Sequence, residues 1–349
     1  MTSRPTLASL AEQLGLSRQT VSNAINAPER VKPETLRRVN DTIAATGYRP
    51  NAAARQLRTR RSRNLGFRLM PVEDGINGAI LDRFLHSLTE NLQEHGYRVT
   101  LFAARDDEAE IRSYDELLET SDLDGFVLAG THHGDARSDW LLARSVPFVT
   151  FGRPWNVSGD DKDCAHSWVD VDGRAGTAEA TNYLLGRGHR RIGFLGWPAG
   201  SGVGDDRRAG WASALDEALT PADLDALSVG VPDGTRQGAE GARLLLERGA
   251  TAVVCASDSL ALGASEQFRA ATPGNPAAVI GFDDTPVAAA MGLSSVAQPV
   301  EQAAKEIVDI MRHVLDGAPD EQVPVTHRLL KPRLVLRDGG GPLASPLSS

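Results

Sequence analysis

The first fifty residues carry apolar positions at the three- and four-residue spacing of amphipathic helices. We predict a first helix that is capped at Thr6 and ends at Gly15. Ser17 is a good N-cap for a second short helix. A third helix is expected to start at Pro33 and to stop at Gly47. Two short helices joined by a turn that contains glycine predict a helix-turn-helix.

From residue 65 onward, short apolar runs that favour strands alternate with amphipathic stretches that favour helices. This alternation is typical of parallel sheets with helices on both faces. The second part of the chain is therefore expected to be a doubly wound α/β structure. The predicted strands are 65–70, 98–104, 123–130, 147–153, 167–172, 190–197, 250–257 and 277–283. The helical stretches include 79–95, 174–187, 207–219, 236–248 and 259–271.

Charge is distributed unevenly along the chain. The net charge of −9 argues, taken alone, against a nucleic-acid partner. Residues 1–63, however, contain 12 basic and 4 acidic side chains, a net +8, whereas the remainder contains 25 and 42, a net −17. Such an asymmetry predicts a nucleic-acid-binding appendage on an acidic body.

The second predicted helix carries side chains that suit the recognition of bases. The N-terminal residues of such a helix reach base edges first when it enters a major groove. Arg18 suits guanine, and Gln19 or Asn23 suits adenine. The alternative is an ordinary three-helix appendage with a solvated polar face, which the charge and the side-chain types disfavour. The residues assigned to phosphates are Ser17, Thr20, Ser22 and Arg30.

A short alanine-rich stretch follows this module at residues 51–57, before a run of arginines. An isolated helix of this length is marginal in water, so we expect it to be ordered only when something holds it. In a two-fold dimer on DNA, two such helices can pair over a minor groove, with Leu57 as an apolar wedge. A flexible linker is the alternative, and the residues alone favour neither.

Charged and aromatic side chains follow several predicted strands of the body. Ligands bind beyond the carboxyl ends of strands in such sheets. Carboxylates and guanidiniums that bind vicinal hydroxyls, together with flat aromatic faces, suit a carbohydrate, with a purine as the alternative. Trp211 is expected to belong to the core. The residues assigned to a ligand on this basis are Arg153, Trp155, Trp197, Asp206, Arg207, Asp258 and Asp283.

The segment 6–57 resembles, without a gap, the DNA-binding headpiece and hinge helix of the LacI/GalR repressor family. The resemblance includes the pattern around Gly15, Ser17 and the stretch 20–22. It implies base-reading positions for Arg18, Gln19 and Asn23 and an intercalating position for Leu57. The family usually has Ser or Thr where Lys32 stands. Further DNA contacts assigned with this resemblance are Thr6, Tyr48, Asn51 and Ala54.

The body, residues 64–337, resembles the effector domain of the same family, which has the periplasmic-binding-protein fold. The stretches GHRRIGFLG, DDRRAGW, CASDSLALGA and GFDDTPVA carry the likeness. It implies effector contacts for Arg207 and Asp258, and it places Gln298 near the pocket. The loop 197–206 and the insert 154–163 depart from the family pattern, so the ligand cannot be copied from one relative.

We therefore expect an α/β protein with an N-terminal three-helix headpiece and a periplasmic-binding-protein-like core of two subdomains. The expected parts are a headpiece at 1–49, a hinge helix and linker at 50–63, a core for effector binding and dimerisation at 64–338, and a disordered tail at 339–349. The first subdomain is expected over 64–163 and 298–327, and the second over 164–297 and 328–338.

Other classes of protein are disfavoured. The glycine run 200–204 fits no phosphate loop, and the two aspartates behind it would repel phosphate. The histidines near Asp135 and Cys164 lack metal-ligand spacing, so neither metal, cofactor nor enzymatic activity is expected. Because no long apolar segment or signal core is visible, we expect a cytoplasmic protein without a membrane partner, rather than a secreted sugar-binding protein.

The function expected from these features is that of a homodimeric repressor that binds near-palindromic, double-stranded operator DNA. A small ligand, a sugar in first place and a purine co-repressor as the alternative, would bind between the subdomains. It would favour one state of closure and thereby change the spacing of the hinge segments. A cleft that changes its closure in this way is compatible with both induction and co-repression.

Overall fold

The computed structural model describes residues 5–48, 61–70, 76, 78–120, 123–155, 164–216, 218–271, 278–317 and 324–337. The chain divides into two compact units, Met1–Ser62 and Arg63–Ser349. The expected tail at 339–349 lies outside the described residues. No helix among the described residues is both long and apolar enough to cross a bilayer.

The first unit contains the three predicted helices. They are α1 (Leu7–Leu14), α2 (Arg18–Asn26) and α3 (Pro33–Thr46), and a short 3-10 turn lies at Pro28–Arg30. Their apolar faces meet in a small core around Leu10, Val21 and Val39.

Local residue chemistry sets the ends of these helices, as predicted. The hydroxyl of Thr6 accepts a hydrogen bond from the backbone N–H of Ser9, and that of Ser17 accepts one from Thr20. Gly15 and Gly47 end α1 and α3 with φ values of 65° and 64°. Glycine adopts this left-handed conformation without the steric cost that other residues meet. The predicted caps are therefore confirmed.

Lys32 stands at the N-cap of α3 and makes no capping hydrogen bond with its side chain. Because serine there would accept from an orphan N–H of the first turn, Lys32→Ser is expected to stabilise α3 by about 1 kcal/mol. Slower hydrogen exchange of the α3 amides in the full-length chain would measure this gain. Lys32→Ala is the matched control, and equal exchange in the two variants would contradict a capping effect.

The core contains two six-stranded sheets. The first has the strand order β11-β5-β4-β3-β1-β2 and the second β12-β10-β9-β8-β6-β7. All strand pairs are parallel except that of β10 with β12, so the doubly wound α/β class is confirmed. The strands are β1 (Asn64–Leu69), β2 (Arg98–Ala103), β3 (Gly125–Ala129), β4 (Phe148–Phe151), β5 (Trp168–Val171), β6 (Ile192–Gly196), β7 (Ser228–Gly230), β8 (Ala252–Cys255), β9 (Ala278–Asp283), β10 (Ser294–Ala297), β11 (His327–Leu330) and β12 (Arg333–Val335).

The core helices cover the faces of these sheets. In each sheet, the order in which successive strands are added reverses at one point, between β1 and β3 in the first sheet and between β6 and β8 in the second. Ligand crevices open at such switch points. The helices are α4 (Gly78–Glu94), α5 (Asp107–Thr120), α6 (Ala136–Ala143), α7 (Gly173–Gly186), α8 (Val203–Ser213), α9 (Pro221–Ala226), α10 (Thr235–Glu247), α11 (Asp258–Ala271), α12 (Pro286–Ala290) and α13 (Val300–Asp316).

Helix α8 begins four residues before the predicted start at residue 207 and ends six residues before the predicted end at 219. The hydroxyl of Ser201 accepts from the backbone N–H of Gly204, and the acids Asp205 and Asp206 lie in the first turn. Acidic side chains favour a helix N-terminus because they complement its dipole. The earlier start therefore brings Asp206 and Arg207 onto the first turns of a helix.

The strand pairing corrects the expected subdomain boundaries. Strand β5 was expected near the start of the second subdomain, but it pairs with β4 and β11 in the first sheet, with Asp170 opposite Leu329. The chain first passes from the first subdomain to the second at Asp172. Helix α7 then packs on the second sheet, with Gly176 close to Phe282. The first subdomain therefore extends beyond the predicted bound at residue 163 to about 171, and it includes β11 to Leu330 rather than ending at 327.

Each subdomain has its own apolar interior. Phe84 on α4 and Met311 on α13 are fully buried over the first sheet, which places α13 in the first subdomain as expected after the crossover at Gln298. Trp211 is fully buried in the second subdomain, and its indole N–H donates to the backbone oxygen of Ile192 at 3.1 Å. The predicted core position of Trp211 is thus confirmed.

Candidate nucleic-acid interface and ligand cleft

The helix-turn-helix places its polar side chains on the face of α2 opposite the buried Val21. Arg18 and Gln19 are exposed, and the side-chain amide of Gln19 donates to the amide oxygen of Asn23 at 2.9 Å. The two amides lie one helical turn apart and hold each other in place. They therefore form one hydrogen-bonding surface with donors and acceptors, of the kind that reads adenine edges.

Other residues assigned to DNA contacts have additional roles in the fold. Ser17 and Thr20 share a hydrogen bond of 2.8 Å between their hydroxyls, next to the N-cap of α2. Arg30 is largely exposed, with its guanidinium 3.8 Å from the carboxylate of Glu29. Ser22 is half-buried on α2. These side chains lie at or near the exposed surface of the headpiece, where phosphates can approach.

Tyr48 differs from this pattern. Its side chain is buried in the headpiece core. A DNA contact through the ring would require an exposed side chain. The side chain of Thr6 is a helix cap, although it stays exposed. The predicted contacts at Asn51, Ala54 and Leu57, with the hinge helix that carries them, lie outside the described residues.

A cavity of about 150 Å³ opens between the two subdomains of the core. Its polar walls come from the ends of β3 and β5, from the first turns of α7 and α8, and from the crossover after β10. The lining residues are Ile80, Leu81, Gly130, Thr131, Phe151, Gly152, Trp155, Asp170, Val171, Gly173, Val203, Asp206, Arg207 and Gln298. The cavity thus lies at the carboxyl ends of the strands, where the sequence predicted a ligand.

Arg153 bridges the two sides of this cleft. Its Nε donates to Asp170 Oδ2 at 2.8 Å in the first subdomain, and its Nη2 donates to Asp206 Oδ2 at 2.9 Å in the second. Burial raises the pKa of both carboxyl groups above the usual value, and the nearby charge of Arg153 offsets only part of this shift. The guanidinium therefore compensates two partly desolvated acids and links the subdomains.

Trp155 forms an apolar wall of the cavity. Its indole N–H donates to Thr131 Oγ1 at 3.2 Å, and the guanidinium of Arg153 lies 4.8 Å from its ring centroid. On the opposite side of the cleft, a Cβ at Gly202 would lie 2.6 Å from the indole Cγ, and Gly202 has a φ of 68°. Only glycine therefore fits this close approach between the subdomains.

Arg207 is buried in the second subdomain and reaches the cavity. One of its terminal nitrogens donates to the backbone oxygen of Ala256, and its guanidinium carbon lies 3.6 Å from the ring centroid of Phe282. Its Nε is buried and has no hydrogen-bond partner among the described residues. A buried donor of this kind is costly when unpaired, so an acceptor from a ligand would stabilise it.

Asp283 and Gln298 form a pair at the rear of the cleft. The Gln298 side chain donates to Asp283 Oδ1 at 2.6 Å, and Arg207 Nη1 lies 3.9 Å from the same oxygen. Burial raises the pKa of Asp283 to about 7, although the charge of Arg207 opposes this shift. The backbone of Asp283 adopts a φ of 114°, a strained conformation for a residue with a side chain.

Asp258 takes a different place from the one that the sequence indicated. It does not line the described cavity, and it is fully buried. Its Oδ2 accepts from the backbone N–H and the hydroxyl of Thr285 at 2.7 and 2.9 Å, and its Oδ1 accepts from Ser295 at 2.6 Å. The carboxylate joins α11 to β10 and α12. We therefore assign it a role in the fold of the second subdomain instead of a direct ligand contact.

Trp197 is half-buried beside the cleft, with the guanidinium of Arg207 5.4 Å from its ring centroid. Its indole nitrogen is buried and has no hydrogen-bond partner among the described residues. The ring does not line the cavity in this state. Of the predicted ligand residues, the structure thus brings Trp155, Asp206, Arg207 and Gln298 to the cavity wall, with Arg153 and Asp283 directly behind them.

Sequence reasoning missed several parts of the site. Asp170 lies between Val169 and Val171 in the predicted strand 167–172, and an acid between two β-branched apolar residues was the available signal for its position. Thr131 follows the predicted strand 123–130, where the same rule about carboxyl ends would have found it. The apolar wall at Ile80 and Leu81 could not be distinguished from ordinary core positions of an amphipathic helix.

A cluster that the sequence analysis disfavoured as a metal site lies near the cleft. The structure brings Asp107 to His132 and Asp135, with His132 Nε2 3.3 Å from Asp107 Oδ2. Arg137, however, is fully buried beside them, and its Nη2 lies 2.7 Å from Asp135 Oδ2. The guanidinium already supplies positive charge to these acids, which makes a cation unfavourable here.

Comparisons with known proteins agree with both units. A family model for bacterial regulatory proteins of the lacI family matches residues 6–51, and a model for a periplasmic binding protein-like domain matches 181–339. The HTH-type transcriptional regulator CelR of Thermobifida fusca is 32% identical over 348 residues, which cover 97% of this chain and 98% of CelR. The regulator AglR of Rhizobium meliloti is 35% identical over 285 residues, 80% of this chain and 77% of AglR.

A solved structure gives a similar result. The transcriptional regulator CelR–cellobiose complex superposes with a TM-score of 0.70 at 28% identity and covers 97% of this chain and 100% of that one. The helix-turn-helix and the two-sheet core therefore define a transcriptional regulator with a periplasmic-binding-protein-like body. The chain belongs to the lacI family of bacterial regulatory proteins.

Proposed function

We propose that this protein is a cytoplasmic, homodimeric repressor that binds a near-palindromic operator and releases or retains it in response to a small carbohydrate. The observation that carries the carbohydrate assignment is the composition of the cleft. An indole face lies beside carboxylates and guanidiniums there, at Trp155, Asp206 and Arg207. This combination suits a ligand with apolar C–H faces and a rim of hydroxyls.

The similarity to regulators of known ligand adds support. One related structure is a CelR–cellobiose complex, and it covers nearly the whole of this chain. Its ligand is a neutral disaccharide, in keeping with the hydroxyl-binding groups of the cleft. By the same reasoning, the ligand of this chain is a carbohydrate. Which carbohydrate it binds depends on the residues of its own cleft.

The coupling between ligand and DNA follows from the position of the bridging contacts. Arg153 and Trp155 belong to the first subdomain, and each touches the first turn of α8 or the residue before it in the second. A ligand that binds between these groups changes the relative stability of open and closed clefts. Operator DNA must then change ligand affinity by the same factor in return, because the coupling is reciprocal.

The experiment begins with the full-length chain and a pool of random double-stranded DNA, from which bound sequences are selected. The selected site is expected to be near-palindromic, since a two-fold dimer presents two headpieces. Fluorescence anisotropy then follows operator binding during titration with neutral mono- and disaccharides and, separately, with purines. A change in operator affinity with a sugar supports the proposal. A response to purines alone would contradict the carbohydrate assignment.

A matched variant tests the site. Arg207→Lys keeps the positive charge but removes the planar guanidinium that stacks on Phe282 and reaches the cavity. It is expected to bind the operator as the parent chain does and to lose most of the sugar response. Arg236→Lys, on the exposed surface of α10, is the control and should respond normally. A full sugar response from Arg207→Lys would place the ligand elsewhere.

A further inference from the structure

The cleft contains more acidic than basic side chains among the described residues. Carboxyl groups at Asp170, Asp206 and Asp283 face two guanidiniums, those of Arg153 and Arg207. Burial raises the pKa of Asp283 to about 7, so this acid is only partly ionised near neutral pH. All five side chains are largely removed from solvent, with exposed fractions of 14% or less. Charges in such a place interact strongly because water screens them poorly.

Both guanidiniums already have carboxylate partners. Arg153 donates to Asp170 and Asp206, at 2.8 and 2.9 Å. Arg207 Nη1 lies 3.9 Å from Asp283 Oδ1 and donates a hydrogen bond to the backbone oxygen of Ala256. Arg207 keeps a buried Nε without a partner among the described residues, whereas Arg153 is not available for a phosphate or a carboxylate of a ligand without giving up a buried partner. Leaving that partner unpaired would cost more than a surface ion pair is worth.

The N-terminus of one of the two helices that begin at the cavity is also occupied. Helix α7 begins at Gly173, which lines the cavity, and a helix N-terminus attracts anions through its free N–H groups. Here the N–H of Arg174 donates to Asp206 Oδ2 at 3.0 Å, and the N–H of Ala175 donates to Asp172 Oδ1 at 2.8 Å. The protein's own carboxylates therefore take the positions that a ligand anion would occupy.

We infer that the cleft selects uncharged sugars and rejects their phosphorylated and carboxylated derivatives. This inference rests on the proposed carbohydrate function and concerns the same site. Asp206 accepts from Arg153 and from the N–H of Arg174 through Oδ2, and no described residue donates to its Oδ1, which can accept from a ligand hydroxyl. The buried Nε of Arg207 requires one acceptor, which a hydroxyl or a ring oxygen supplies without adding charge.

The charge of the effector fixes its place in a reaction sequence. A neutral sugar is the product of glycosidic hydrolysis, or the sugar as taken up, before any kinase has transferred a phosphoryl group to it. The cleft would thus report the supply of free sugar, because phosphorylation of that sugar removes it from the pool that binds.

The test compares matched ligands by isothermal titration calorimetry with the full-length chain. The probes are cellobiose with cellobionate, glucose with glucose 6-phosphate and glucuronate, and trehalose with trehalose 6-phosphate. Where a neutral sugar binds, its anionic partner is expected to bind roughly tenfold more weakly or worse. An anionic partner that binds equally or more tightly overturns the inference but leaves the carbohydrate function intact. If no member of the panel binds, the inference falls together with the proposed function for these sugars.

A variant pair locates the cause of the rejection. Asp206→Asn removes one negative charge from the cavity wall and keeps an oxygen that accepts from Arg153. It is expected to reduce the preference for the neutral member of each pair several-fold. Asp205→Asn is the control, since Asp205 is more exposed and lies outside the cavity lining. Equal preferences in the parent chain and in Asp206→Asn would show that charge at the wall does not set the selectivity.

Discussion

Replacing Asp258 with alanine is expected to lower the free energy of unfolding of the core by about 3 kcal/mol or more. The carboxylate accepts from three donors, two on Thr285 and one on Ser295, and none of the three residues is exposed. Each buried donor left without an acceptor costs about 1–3 kcal/mol. Urea denaturation of the full-length chain, followed by circular dichroism, measures the loss.

Two further variants show whether this reasoning holds. Asp258→Asn retains a carbonyl oxygen and adds an N–H that can donate to the hydroxyl oxygen of Ser295. It should therefore lose less stability than the alanine variant. Asp82→Ala removes an exposed acid beside His86 and is expected to change stability by no more than about 0.5 kcal/mol. If Asp258→Ala is as stable as Asp82→Ala, the hydrogen-bond network does not hold the second subdomain together.

The Asp258 variants also separate a role in folding from ligand contact. Since Asp258 does not line the cavity, folded Asp258→Asn is expected to bind sugar with nearly the parent affinity. A complete loss of binding by a folded, stable Asp258→Asn would favour the direct contact that the sequence suggested.

Local features of the fold were accessible from the sequence because their causes lie within a few residues. Thr6 and Ser17 cap helices through hydrogen bonds to residues three positions away. Gly15 and Gly47 end helices through their own backbone conformation. The alternation of strand and helix patterns predicted two parallel sheets for the same reason, since each pattern reports burial along one short segment.

The assignment of strands to subdomains depended on pairing between distant segments. Strand β5 contacts β11, more than 150 residues later, and no periodicity in either segment indicates that partner. The role of Asp258 likewise depends on Thr285 and Ser295, which a different loop and a different strand bring to it. A position after a strand thus predicted the neighbourhood of the cleft, but not which carboxylates face the cavity.

The bridging contacts connect ligand recognition with closure. Arg153 and Trp155 were predicted as ligand residues, and the structure adds that each also touches the second subdomain. A ligand that binds against Arg153 and Trp155 therefore changes the stability of the contacts that these side chains make across the cleft. Recognition and conformational response can thus share the same side chains.

In the headpiece, Gln19→Ala is expected to relax base preference at one position of each half-site. Gln19 and Asn23 are joined by a hydrogen bond of 2.9 Å and present one amide surface. A bidentate amide contact to adenine discriminates by about 1–3 kcal/mol, roughly 5-fold to more than 100-fold per half-site. Competition binding against operators changed at single base pairs measures this loss, and the altered position identifies the base that Gln19 contacts.

The control for this readout is Arg30→Ala. Arg30 is exposed beyond the end of α2 and is assigned to phosphate. Its loss should weaken binding to all sequences alike and lower the salt dependence of binding by about one unit of slope per half-site. Asn23→Ala tests the pairing itself: because Gln19 then loses its acceptor and its fixed orientation, preference should fall at the Gln19 position too. Equal loss on every sequence for Gln19→Ala would contradict base reading by α2.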